Sequence, residues 1–117
     1  MFTLIPLQLS GLASGAVTTF VVTPCRCTVK GMQAVCDADP GDAETITISD
    51  GTNDIGVLTY GTGIAAGATG TFTADSTNGD TVFAAGDTIQ IDITQLTADT
   101  EFNGYIKIDE FARISQP

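Results

Sequence analysis

The chain has 117 residues, of which 43% are apolar and only 15% charged, enough for one folded domain around a single core. Four Lys and Arg against fourteen Asp and Glu give a formal charge of −10, which repels phosphate backbones and argues against free nucleic acid as a partner. No apolar run approaches the roughly 20 residues of a membrane-spanning helix.

The opening stretch, MFTLIPLQLSGLASGA, mimics a signal peptide only weakly, because it lacks a basic start and Pro6 interrupts its apolar run. Without such a signal the chain is made in a reducing cytosol, and its three cysteines are expected as thiols. Residues 1–15 read as an N-terminal arm or an edge strand, and 16–117 as the domain proper. Strand candidates follow at 2–9 and 16–23.

All three cysteines fall in the next candidate, 25–36, CRCTVKGMQAVC. In an extended strand Cys25, Cys27 and Val29 point to one face, and Arg26, Thr28 and Lys30 to the other. After Gly31 the apolar phase shifts by one, to Met32, Ala34 and Cys36. A β-bulge at Gly31 would keep all six apolar residues inward. The rival readings are weaker. Zinc needs a fourth ligand, and the chain has no histidine to supply it. Asp37 would have to serve in a spacing that matches no familiar site. A cysteine nucleophile would lack its imidazole base. Same-face neighbours such as Cys25 and Cys27 sit about 6.5–7 Å apart, near the limit for a disulfide. Buried thiols are the preferred reading, ahead of metal or redox chemistry.

The acidic stretch Asp37-Ala38-Asp39-Pro40-Gly41-Asp42-Ala43-Glu44 carries four carboxylates. It departs from the calcium loop of an EF-hand, since glycine stands fifth and aspartate sixth. A solvated turn is the simpler reading, and calcium stays open. Thr45-Ile46-Thr47-Ile48 then alternates as a half-buried strand should. Asp50-Gly51-Thr52-Asn53-Asp54 reads as a hairpin loop between the strand candidates 44–49 and 54–60.

Gly61-Thr62-Gly63-Ile64-Ala65-Ala66-Gly67 resembles a dinucleotide fingerprint, but the β-like continuation into 69–74 offers no helix N-terminus for a pyrophosphate. A surface loop is expected. Asn78-Gly79-Asp80 and Gly86-Asp87 are turn signals. Ile89, Ile91 and Ile93 alternate with polar residues in 87–94, as do Ile106 and Ile108 in 102–111. Eight short strands with turns between them predict an all-β fold, a single-domain antiparallel β-sandwich of jelly-roll type.

The chemistry is sparse. Without histidine, Ser-His-Asp arrangements are excluded. A glycosidase would want aromatic platforms, and the chain has no tryptophan and two tyrosines, Tyr60 and Tyr105. No enzyme, cofactor or metal is expected.

The layout from Phe20 onward is familiar as a whole. It runs Phe20-Val21-Val22-Thr23-Pro24, a strand around Cys27-Thr28-Val29, Glu44-Thr45-Ile46-Thr47-Ile48-Ser49-Asp50-Gly51, Phe83-Ala84-Ala85-Gly86-Asp87-Thr88-Ile89-Gln90-Ile91 and Gly104-Tyr105-Ile106-Lys107-Ile108. Over about residues 20–113 this pattern resembles the small jelly-roll structural proteins of tailed bacteriophages, of the capsid decoration (cement) or head-fibre type. The resemblance implies a virion protein, made in the host cytoplasm and carried on the outer capsid surface. It implies a homotrimer that binds the major capsid protein, with neither nucleic acid nor membrane as a partner. A fibre or adhesin module recognising a host receptor or glycan is the alternative, with Tyr60 as its candidate exposed aromatic. The only cations, Arg26, Lys30, Lys107 and Arg113, are the candidate contacts to a partner, and Arg26 with Lys30 is the preferred pair on one strand face.

Overall fold

A computed structural model describes residues 2–9, 15–36, 45–60, 69–96 and 102–110. The acidic stretch 37–44, the glycine-rich stretch 61–67 and Arg113 lie outside the described residues. Nine strands are present among the described residues and no helix: β1 (Phe2–Leu9), β2 (Gly15–Val22), β3 (Cys27–Cys36), β4 (Thr45–Ser49), β5 (Asp54–Thr59), β6 (Thr71–Ala74), β7 (Val82–Phe83), β8 (Thr88–Leu96) and β9 (Phe102–Glu110). They match the expected strands closely. The addition is β7, two residues long and too short to leave a periodic signal.

The strands form two antiparallel sheets, ordered β1-β9-β3-β7 and β2-β8-β4-β5-β6. The winding is regular. The consecutive pair β1–β2 supplies one end of each sheet, and next to it stand β9 and β8, then β3 and β4, then β7 and β5. This is a hairpin rolled up on itself, the jelly roll, with β6 added at one end.

The core follows from the alternation. Ile89, Ile91 and Ile93 on β8 and Ile46 and Ile48 on β4 point inward from one sheet, and Ile106 and Ile108 on β9 from the other. Each such side chain contributes about 1.5–3 kcal/mol through burial. On β3 the pairing steps from Val29↔Ile108 directly to Gly31↔Lys107, so Lys30 is the extra residue of a bulge. The bulge restores the inward phase, and Cys27, Val29, Met32 and Ala34 are all buried.

The turns are built by side chains that imitate backbone. At the β4–β5 hairpin the Asp50 carboxylate accepts from the Thr52 and Asn53 amides at 2.8 and 2.7 Å. Those bonds, Asn53's first, hold its carboxyl below the usual carboxylate range. Gly51, with φ of 98°, takes the left-handed position of this turn. In Ala84-Ala85-Gly86-Asp87 the Asp87 amide donates to the Ala84 carbonyl at 3.1 Å, and Gly86 sits at a φ of 89°, as a type II turn requires. Thr23, buried after β2, locks onto that turn through its hydroxyl, which donates to the Ala84 carbonyl at 2.7 Å.

One lateral side of the sandwich is closed without a strand. Past the short β7 the open edge of β3 is met by side chains instead. The Gln33 amide donates to the Gly70 carbonyl at 2.9 Å and accepts from the Gly70 amide at 3.0 Å. The Tyr60 hydroxyl donates to the Ala34 carbonyl at 2.5 Å. These bonds join the four-stranded sheet to the five-stranded one beside β6.

Candidate docking face

Among the described residues no group of three His, Cys, Asp or Glu side chains converges, and the side chain of Cys36, expected inward with the other two cysteines, lies outside what the structure describes. Burial pushes the Cys27 thiol up from an ordinary 9.0 to about 11, and the neighbouring Cys25 thiol and Glu110 carboxylate add to the effect. A thiol held protonated at neutral pH neither attacks a carbonyl nor ligates a metal readily. Cys25 lies ahead of β3 and packs against the core, partly buried.

Two expectations about side-chain placement are corrected. Tyr60 is 1% exposed, with its ring in the core and its hydroxyl bonded to Ala34, so it presents no platform to a glycan. Arg26 stands in the bend over 24–26, after Pro24 and before β3 begins at Cys27. The alternation that would set Arg26 beside Lys30 therefore does not reach it.

The ladder instead brings Lys30 and Lys107 together. Lys107 on β9 faces Gly31, immediately after the bulged Lys30, and both lysines lie on the outer face of the four-stranded sheet. Lys30 is exposed and reaches Asp80 at 3.4 Å. The Lys107 ammonium sits 4.2 Å from the centre of the Phe2 ring, a cation–π contact across the β1–β9 ladder.

This outer face also gathers apolar side chains. Seven large hydrophobic residues are exposed among the described ones, and five of them, Phe2, Leu4, Val35, Val82 and Tyr105, belong to β1, β3, β7 and β9. In register, Leu4 stands opposite Lys107, and Pro6 opposite Tyr105, which in turn faces Gln33. The other sheet presents a different outer face. Its row Thr18–Asp92–Thr47–Val57–Thr73 is mostly hydroxyl and carboxylate, with the Thr18 hydroxyl donating to Asp92 at 2.7 Å. Apart from Phe20 and Val22 on the terminal strand β2, this outer face is wet. The other mixes apolar area with two cations and with Asp109, which follows Lys107 on the same side of β9, a composition that suits a contact surface.

Two shallow hollows lie among the described residues. One of about 340 Å³ is lined by Asp50, Val82, Phe83 and Asp87, and one of about 360 Å³ by Asp54, Val57, Thr73 and Asp75. Asp50, Asp75 and Asp87 spend carboxylate oxygens on backbone amides of their own turns. Neither hollow carries a base, a nucleophile and an anion-binding group together.

The strand order defines an all-β sandwich with jelly-roll winding. Comparison with protein-family models, curated proteins and solved structures finds no match for this chain.

Proposed function

We propose that this protein is a structural component of a virion, a decoration (cement) protein that binds the outside of an assembled phage capsid through the outer face of its four-stranded sheet. The observation that carries the reading is the concentration on that face of Lys30, Lys107 and five exposed hydrophobic side chains, in a chain of net charge −10. The jelly-roll winding supports it by analogy of fold, since capsid domains often use that architecture. The sparse chemistry supports it too, because such a protein works by contact alone.

The partner is the major capsid protein, met through carboxylates that face the two lysines and apolar area that covers Leu4 and Tyr105. Binding only the assembled shell stabilises that shell by linkage, at no chemical step. An acidic exterior keeps a densely covered particle soluble.

The test is titration of purified shells, stripped of this protein, with the wild-type chain and with the variant carrying Leu4→Asp and Lys107→Glu. Saturable binding that raises the shell's melting temperature is expected, weakened at least about tenfold in the variant. Absence of shell binding, with binding to host cells in its place, overturns this reading in favour of a receptor-binding fibre module.

A further inference from the structure

A sandwich of two sheets has four terminal strands, and among the described residues these are β1, β7, β2 and β6. Each presents unpaired backbone donors and acceptors that invite another strand, and natural sheets blunt such edges with short strands, prolines or charges. Three of the four follow that rule. β7 has two residues and β6 has four. β1 carries Pro6, which removes a donor from its ladder.

β2 follows none of it. Its eight residues, GAVTTFVV, contain no proline and no charge, and five of them are β-branched. The whole stretch 1–25 lacks Asp, Glu, Lys and Arg, in a chain that otherwise holds eighteen of them. Phe20 and Val22 stand on the outer side of β2 at 59% and 61% exposure. From Val17 to Val22 the pairing with β8 is regular, and among the described residues no strand pairs with the other side of this stretch, which is a straight template.

We infer that β2 pairs antiparallel with β2 of a second copy of this chain, across a twofold axis, joining two five-stranded sheets into one of ten strands. An antiparallel ladder is complementary to itself under a twofold, so one surface suffices for both partners. Charge favours the same occupant. Two chains of −10 repel each other almost anywhere, and an edge without carboxylates lets them meet without setting like charges together. The outer face of the other sheet, with Lys30 and Lys107, is not used by this pairing. The lateral side stitched by Gln33 and Tyr60 is the closed one, and the β2 side is where a copy adds.

This departs from the homotrimer that the phage resemblance implies, and it does not depend on shell binding, since it is measured on the chain alone. Sedimentation of the full chain over a concentration series is expected to give a mass of two chains. The amides of residues 17–22 are expected to exchange more slowly as the concentration rises. Phe20→Lys, or Val22→Lys if the first variant fails to fold, places a charge on the outer side of β2 and is expected to weaken association at least about 30-fold. Tyr105→Asp, on the other sheet, is expected to leave the mass unchanged. A single-chain mass at every concentration, a mass of three chains, or a two-chain mass untouched by both lysine variants overturns the inference.

Discussion

The hydroxyl of Tyr60 donates to the carbonyl of Ala34 at 2.5 Å, so a residue just past β5 in one sheet satisfies the backbone of β3 in the other. The ring is buried in the core and the bond stands where β7 no longer covers the β3 edge. Removing only the oxygen isolates the contribution of that closure. Tyr60→Phe is expected to lower stability by about 1–2 kcal/mol, because it leaves a buried carbonyl without this donor. Denaturant unfolding followed by circular dichroism reads the loss, and an unchanged midpoint would contradict it.

Gly104 tests the closeness of β9 to β3. A Cβ there would overlap the Gln33 carbonyl oxygen and lie 2.6 Å from the Ala34 Cα, both backbone atoms that cannot swing aside. Gly104→Ala is expected to cost about 3 kcal/mol or more, as overpacking against rigid neighbours does. Gly31→Ala is the control. A Cβ at Gly31 would meet nothing closer than the Lys107 Cβ at 3.8 Å, so its effect should be far smaller.

Cys27 predicts a specific alkaline weakness. The folded state holds its thiol at about 11 against an ordinary 9.0, so folding disfavours the thiolate. That stability is fully present below pH 9 and is lost as pH rises through the folded value. Wild type is therefore expected to lose stability between about pH 9 and pH 11 relative to Cys27→Ala, which has no thiol to ionise. Parallel pH profiles of the two proteins would expose any failure, seen as curves that stay parallel across that window.

The exposed Lys30 should matter little to folding. Lys30 and Asp80 form a surface pair at 3.4 Å with Asp80 almost fully in water, and such pairs contribute about 0–1 kcal/mol. Lys30→Ala is expected to leave the melting temperature nearly unchanged. A large drop would mean that Lys30 is structural, and would remove it from the docking face.

Much of this fold is written locally. Ile46 and Ile48, Ile89 to Ile93, and Ile106 and Ile108 announce their strands by a period of two, because a strand must sort its side chains between core and water. The phase slip after Gly31 announces the bulge for the same reason. Turns at Asp50 and Gly86 follow from residues that bond their own backbone or accept a positive φ.

Tertiary structure alone decided the neighbours. Nothing within β3 or β9 reveals that Lys107 will stand beside Lys30, since that depends on a register closed between residues more than seventy positions apart. Tyr60 looks like a loop aromatic from its sequence position, and the packing of one sheet on the other carries it into the core. Arg26 resembles a strand residue until the bend after Pro24 removes it. The uncharged run 1–25 is plain in the sequence, yet it gains meaning only where the winding puts β2 at the end of a sheet. Periodicity is a property of a few consecutive residues, whereas an edge and a face exist only when distant strands have chosen each other.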